Sequence, residues 1–198
     1  SFNIRNRERV ALLGANGAGK TTMLKILLGE ETPDSGVIRK GAGLKPAYLP
    51  QQVHFSNPHR NLIDTLIYDK NVSMQVARNR LGSFQFIGET QMKTVDMLSG
   101  GEKSRLRLCE LMYDPLNLLI LDEPVTGLDP ASMQDLYKTL RYLNEREGMA
   151  IIMVTHDIEN ALREAKHILC VDRAGCFYGT VGEFLSSPAG KRFGGERA

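Results

Sequence analysis

The chain has 198 residues, of which 42% are hydrophobic, and this is enough for one domain with a core of its own. Lys and Arg number 25 against 23 Asp and Glu, so the sequence lacks the basic excess typical of direct binding to nucleic acid or to anionic lipid. No run reaches the roughly 20 apolar residues that span a bilayer, and we expect any membrane role to come through a partner.

The first predicted strand, at residues 10–13, leads into the sequence GANGAGKT at 14–21, and a helical pattern follows at 22–28. GANGAGKT is a complete GxxxxGK[ST] phosphate loop. Its glycines let the backbone turn tightly and bring N–H groups towards phosphate oxygens at a helix N-terminus. These glycines are Gly14, Gly17 and Gly19. The alternative is an ordinary glycine-rich turn, against which the strand-to-helix setting argues.

The polar residues of this loop have predicted roles at a bound triphosphate. Lys20 is expected to face the β- and γ-phosphates, and the Thr21 hydroxyl is expected to coordinate Mg²⁺. Asn16 and Thr22 belong to the same loop and helix start, and we include them among the nucleotide-binding residues.

The middle of the chain changes character. Turn residues at 32–36 lead to two candidate strands at 37–39 and 47–49, after which residues 52–97 have a mostly helical pattern. This segment is interpreted as a helical insertion.

Strands and helices then alternate, which predicts a mostly parallel sheet covered by helices on both faces. The predicted helices lie at 102–112, 130–146 and 158–165, and the predicted strands at 118–121, 150–154 and 168–171.

The end of the chain is predicted as an antiparallel edge. A turn at 173–175 precedes a short strand at 176–178, and Thr180 with Glu183 has the spacing of a capping box for a last short helix. The Gly-, Lys- and Arg-rich residues 188–198 are predicted to be a loose tail.

Two adjacent carboxylates, Asp122 and Glu123, follow the predicted strand at 118–121. They fall at the carboxyl edge of the sheet, where open α/β folds bind ligands, and neighbouring strand residues point to opposite faces. We therefore expect Asp122 to hold Mg²⁺ and Glu123 to accept a proton from the attacking water. A capping role for either acid is the alternative.

Leu98 begins the sequence LSGGE, in which Ser99 and Glu102 form a predicted capping box for the following helix. Gly100 and Gly101 leave the N–H groups of that helix start uncovered by side chains, and this predicts a second anion site.

Together these motifs resemble the nucleotide-binding domain of an ABC-type ATPase over nearly the whole chain. The resemblance rests on six motifs in the family's order: Walker A at 14–21, the Q-loop at Gln51, the signature at 98–102, Walker B at 118–124, the D-loop at 126–129 and the switch histidine at His156. It implies a P-loop NTPase fold with ATP and Mg²⁺ as cofactors, a catalytic core at 1–51 and 98–187, and a helical subdomain at 52–97.

The resemblance also implies a head-to-tail pair of domains that closes on two ATP molecules. Ser99, Gly100 and Gly101 then bind the partner's nucleotide, Gln51 senses Mg²⁺ and the lytic water, and His156 steadies the γ-phosphate. Asp129 communicates across the pair. Read without the family, Gln51 is an ordinary surface group and Asp129 before Pro130 is a helix N-cap.

Three positions depart from the family pattern. The aromatic residue that stacks on adenine in relatives lies upstream of the first core strand, where this chain has only Phe2. Glu102 replaces the usual Gln of the signature, and Val125 replaces a Thr after Walker B. Because the chain starts at Ser1 without Met, we expect an excised or incomplete domain.

The C-terminal third is similar to ATPase subunits of bacterial importers, most closely those for zinc or manganese ions. This implies a motor subunit that drives a separate integral membrane permease and sits in the cytoplasm at the inner face of the membrane. Two alternatives stay open: a soluble ABC ATPase of the translation-factor class, and an ATP-dependent dimerising clamp with little turnover. His54 and His59 are interpreted as exposed or docking side chains.

Overall fold

A computed structural model describes residues 2–172 and 175–195. Most strands form where short runs of Val, Ile and Leu are bounded by turn residues. The strands are β1 (Arg9–Leu13), β2 (Pro46–Leu49), β3 (Leu118–Asp122), β4 (Ala150–Val154), β5 (His167–Asp172) and β6 (Gly175–Thr180).

The helices begin mostly at residues whose side chains accept a hydrogen bond from the first turn. The helices are α1 (Lys20–Leu28), α2 (Leu62–Lys70), α3 (Met74–Ser83), α4 (Gly100–Leu111), α5 (Pro130–Glu145), α6 (Ile158–Glu164), α7 (Val181–Ser186) and α8 (Pro188–Gly195). The side-chain caps are Asn61 for α2, Ser73 for α3, Ser99 for α4, Asp157 for α6 and Thr180 for α7. Two 3₁₀ turns, Gly88–Met92 and Val95–Met97, precede α4.

The described strands form one sheet in the order β2-β3-β4-β1-β5-β6. β1 pairs in parallel with β4 and β5, and β3 pairs in parallel with β4. β6 is antiparallel to β5, as the hairpin prediction required. Of the predicted turn at 173–175, Arg173 and Ala174 lie outside the described residues. The predicted α/β class with an antiparallel edge is confirmed.

Alternating side chains of the strands supply two cores, one on each face of the sheet. On one face Leu12 and Ile120 pack with Leu24 of α1. On the other face Leu13 packs with Phe184 of α7. Burying each such side chain contributes about 1.5–3 kcal/mol. Because both faces of the sheet are packed, the strands are held in place, and so are the ends of the loops that leave their carboxyl edge.

The chain divides into two compact units. The first comprises Ser1–Tyr48, Leu116–Pro124 and Leu143–Ala198, and it contains the sheet residues except Leu49. The second comprises Leu49–Pro115 and Val125–Tyr142 and is helical. The segment predicted as a helical insertion lies within this second unit, which also contains α4 and most of α5. In residues 2–172 and 175–195, the helices lack the combination of length and hydropathy required for a membrane span.

The prediction of a strand at residues 37–39 is wrong. These residues have no regular structure, and Val37 is 82% exposed. A β-branched side chain favours a strand only when it packs on a neighbouring strand or core.

The prediction of a loose tail is wrong for residues 188–195, which form α8. Ala189 is buried, and Phe193 packs with its ring centroid 6.3 Å from that of Phe184. Gly190 allows this packing, because a Cβ there would lie 2.0 Å from the Phe184 carbonyl oxygen. Residues 196–198 lie outside the described part of the chain.

Candidate nucleotide-binding site

The phosphate loop connects β1 to α1 at the carboxyl edge of the sheet. Gly17 and Gly19 have φ values of 76° and 93°, in the left-handed region that glycine adopts without steric cost. Gly19 caps α1, and its lack of a side chain leaves no side-chain hydrogen bond at this helix start. The first N–H groups of α1 therefore point towards an anion site with a positive dipole behind them.

Gly14 serves a different purpose from the tight turn that the sequence suggested. Its φ is not in the left-handed region, but a Cβ would lie 2.6 Å from the carbonyl oxygen of Val171 in β5. The missing side chain thus lets the start of the loop lie against the neighbouring strand.

Lys20 lies under the loop, with only 8% of its surface exposed. Its Nζ donates to the carbonyl oxygens of Gly14 and Ala15 at 2.8 and 3.1 Å. Burial lowers the pKa of Lys20, and the nearby carboxylates of Glu123 and Asp122 oppose this effect. The ammonium is thus held at the centre of the loop, between backbone carbonyls and two acids.

The remaining polar residues of the loop face outwards. Asn16, Thr21 and Thr22 are exposed. The Thr21 hydroxyl is therefore accessible to a ligand at the helix start.

Asp122 is the last residue of β3, on the sheet face that carries Ile120 and α1. Its Oδ2 accepts a hydrogen bond from the Tyr48 hydroxyl of β2 at 3.1 Å. The sequence did not identify Tyr48 as a site residue. The sequence shows that Tyr48 comes three residues before Gln51, but it does not show that β2 lies beside β3. Because that strand order brings the Tyr48 hydroxyl to Asp122, the hydrogen bond could not be predicted.

Glu123 follows the strand with φ of 48°, which is uncommon for a residue with a side chain. Its backbone N–H donates to the Val154 carbonyl at 3.0 Å and so holds this conformation. Its carboxylate lies 2.9 Å from Nε2 of His156 and also accepts the His156 backbone N–H at 3.3 Å. The two adjacent acids therefore have separate partners, Tyr48 for Asp122 and His156 for Glu123.

The signature residues lie in the second unit. Ser99 caps α4, and the predicted capping box is present, because the Glu102 carboxylate accepts the Ser99 N–H at 2.8 Å. A Cβ on Gly101 would lie 2.8 Å from the Ser132 Cβ, and a Cβ on Gly100 would lie 3.2 Å from Leu128. Within this unit the glycines allow the start of α4 to pack against the residues around the start of α5.

Asp129 is the N-cap of α5, which was the role expected of it without the family resemblance. Its carboxylate accepts the N–H groups of Ala131 and Ser132 at 3.0 Å each. A hydrogen bond with the Ser132 side chain lowers the pKa of Asp129 most, and the two backbone N–H groups add to this effect. Gln51 is exposed after the end of β2. His59 is also exposed, and its Nδ1 lies 2.9 Å from Asp96.

In the first unit the structure thus brings together the phosphate loop, Lys20, Asp122, Glu123 and His156 around one edge of the sheet. A phosphate loop between a strand and a helix, with acids at the carboxyl end of another strand of the same sheet, defines a P-loop nucleoside triphosphatase. The family model described as "ABC transporter" matches residues 1–126. The chain belongs to this family and is an ATP-binding domain with ATPase activity.

Several proteins are similar to this chain. The zinc import ATP-binding protein ZnuC of Acinetobacter baylyi is 35% identical over 201 residues, which cover 99% of this chain and 76% of that protein. The ATP-binding protein Uup of Buchnera aphidicola is 37% identical over 159 residues, 78% of this chain and 26% of that protein. The structure of cbiO1 from Clostridium perfringens, part of the ABC transporter complex cbiONQ, has a TM-score of 0.78 at 22% identity and covers 96% of this chain and 84% of that chain.

Proposed function

We propose that this chain is the ATP-hydrolysing motor subunit of an importer for a divalent metal ion, with zinc as the first candidate. The observation that carries this proposal is the 35% identity to a zinc import ATP-binding protein over 99% of the chain. The metal is cargo that passes through a separate permease, and ATP hydrolysis supplies the energy.

The site residues fit a nucleotide with Mg²⁺. The uncapped start of α1 suits phosphate oxygens, and the exposed Thr21 hydroxyl and the Asp122 carboxylate are oxygen ligands of the kind that Mg²⁺ takes. We assign Thr21 and Asp122 to the metal, and Asn16, Lys20 and Thr22 with the loop glycines to the phosphates. The metal role of Gln51 stays a prediction from the family resemblance. When bound, Mg²⁺ neutralises charge on the β- and γ-phosphate oxygens.

The proposed general base is Glu123. It is 9% exposed, it is fixed by its backbone N–H, and its carboxylate lies at the same sheet edge as the loop that holds Lys20. A general base has to reach the proton of the attacking water, and a preorganised carboxylate meets this need. His156 lies 2.9 Å from this carboxylate, and we assign it to orienting Glu123 and to steadying the γ-phosphate.

We propose further that two copies pair head to tail, so that Ser99, Gly100 and Gly101 of one copy close on the nucleotide of the other. The exposed Ser99 and Gly100 at the start of α4 support this proposal, because they lie at a helix N-terminus suited to an anion. Asp129 is assigned to communication between the copies. The pair is placed in the cytoplasm, at the inner face of the membrane, by an integral membrane permease.

Pairing is tested by light scattering with ATP and Mg²⁺. We expect Glu123→Gln to form an ATP-dependent dimer, because it retains the nucleotide, and we expect Ser99→Arg in that background to abolish the dimer. A Glu123→Gln chain that stays monomeric at saturating ATP contradicts the head-to-tail pair.

Import is tested by uptake of radioactive zinc in cells that normally produce this protein. We expect Glu123→Gln in the full-length gene to abolish uptake at low external zinc, whereas a His59→Ala control retains it. Unchanged zinc uptake with the Glu123→Gln gene contradicts the metal-import function.

A second candidate is a soluble ABC ATPase of the translation-factor class, which is favoured by the sequence LSGGEKSRLRLCELM at 98–112. This candidate predicts that the tagged protein sediments with ribosomes in an ATP-dependent manner. The import function predicts instead that the protein sediments with the membrane fraction.

A further inference from the structure

Tyr48 makes a direct contact with one of the two acids at the site. Its hydroxyl donates to Oδ2 of Asp122 at 3.1 Å, across the neighbouring strands β2 and β3. Both residues lie in the first unit. Nothing in the proposed chemistry assigns a role to this tyrosine.

The surroundings of Tyr48 fix where its hydroxyl lies. The ring is partly buried and packs against the core cluster that contains Leu24 and Ile120. An ordinary tyrosine hydroxyl carries its proton at neutral pH, and an ionised carboxylate only accepts, so the Tyr48 hydroxyl is the hydrogen-bond donor to Asp122.

A carboxylate at the end of a strand needs such a partner. The terminal torsion of an aspartate is broad, so the backbone alone does not fix the plane of the carboxylate. Mg²⁺, in contrast, demands near-ideal octahedral geometry. Groups that hydrogen-bond to metal ligands orient those ligands, and they influence metal affinity strongly.

We propose that Tyr48 is a positioning residue for the metal site: its hydroxyl holds one oxygen of Asp122 and so orients the carboxylate towards Mg²⁺. This inference rests on the proposed metal role of Asp122. Tyr48 itself touches neither the metal nor the nucleotide in this proposal.

The test measures metal binding and not turnover. Mn²⁺ is titrated into the chain with a saturating non-hydrolysable ATP analogue, and free Mn²⁺ is followed by electron paramagnetic resonance. Tyr48→Phe removes only the hydroxyl and keeps the ring in the core. We expect the Mn²⁺ dissociation constant to rise by about tenfold, in line with losses of partners to metal ligands. Affinity for the analogue in EDTA is expected to stay within twofold.

Tyr178→Phe is the matched control. Tyr178 is also a partly buried tyrosine of the first unit, and its hydroxyl likewise donates to a carboxylate, that of Glu8, at 3.2 Å. We expect this control to leave Mn²⁺ affinity unchanged. An equal loss in both variants, or no loss in Tyr48→Phe, overturns the positioning role.

Asp122→Asn separates this inference from the proposed function. We expect it to weaken Mn²⁺ binding strongly and to make a further Tyr48→Phe substitution without effect. If Asp122→Asn weakens binding but Tyr48→Phe does not, the positioning role alone is wrong. If Asp122→Asn leaves Mn²⁺ affinity unchanged, the metal role of Asp122 is itself wrong.

Discussion

The imidazole Nε2 of His156 lies 2.9 Å from the Glu123 carboxylate, and the backbone N–H of His156 donates to the same carboxylate at 3.3 Å. The two residues follow neighbouring strands, β4 and β3. This double contact joins the proposed base to the residue proposed to steady the γ-phosphate. It implies that the orientation of Glu123 depends on His156.

His156→Ala is therefore expected to reduce ATP turnover by about 10²-fold, at the lower end of the usual contribution of a positioned acid–base group. ATP affinity should change little, because the phosphate loop is untouched. Steady-state phosphate release and equilibrium binding of a fluorescent ATP analogue measure the two quantities. His59→Ala is the control and is expected to leave both unchanged. Full turnover in His156→Ala contradicts the role of this histidine.

Gly14→Ala tests the close contact of the phosphate loop with β5. The added Cβ meets the Val171 carbonyl oxygen at 2.6 Å, and this oxygen has little room to move because it belongs to the backbone of β5. Overpacking of this kind costs about 1–3 kcal/mol. We expect a lower melting temperature and at least tenfold weaker ATP binding, because the loop has to shift away from the strand.

The matched control for this substitution is Gly41→Ala, where a Cβ would meet nothing within 4 Å and φ is not in the left-handed region. It is expected to leave melting and ATP binding unchanged. Equal ATP binding by Gly14→Ala and the native chain would show that the contact with Val171 does not shape the loop.

Glu110 in α4 provides a prediction about pH. It is 1% exposed, its Oε1 has no hydrogen-bond partner among the described residues, and Arg107 contacts its other oxygen at 2.8 Å. Burial raises the pKa of Glu110, and Arg107 opposes this effect only in part. A carboxyl whose folded pKa is raised favours folding below its unfolded pKa and loses that contribution as pH rises through the folded value.

Glu110→Gln is accordingly expected to raise the melting temperature at pH 7–8 by a few degrees, since about 1 kcal/mol corresponds to roughly 2–4 °C for a chain of this size. The gain should shrink towards pH 4, where the native carboxyl is protonated. Calorimetry across this pH range is the measurement, with the exposed Glu89→Gln as the control. A gain that does not depend on pH contradicts the assignment to this buried charge.

The sequence predicted the parts of the fold that depend on local patterns. Apolar runs identified the central strands, and 150–154 was predicted with the bounds that the structure has. The capping boxes at Ser99 and Thr180 are also present, because they need only residues three apart. The roles of the site residues stay predictions until the experiments are done.

The features that the sequence did not predict depend on contacts between distant residues. The Gly, Lys and Arg content of residues 188–198 indicated a loose tail, yet Gly190 is where α8 approaches the Phe184 carbonyl oxygen. Gly14 is likewise required by its close approach to the Val171 carbonyl oxygen. Tyr48 reaches Asp122 because β2 lies beside β3. None of these partners can be read from local sequence, because sheet order and helix packing decide them.

Phosphate release by Glu123→Gln shows whether this carboxylate is the general base. The substitution keeps the size of the side chain and removes only its basicity, so ATP binding should stay within about twofold while turnover falls by about 10² or more. Turnover equal to that of the native chain would contradict the assignment of Glu123 as the base of an ATP-hydrolysing site.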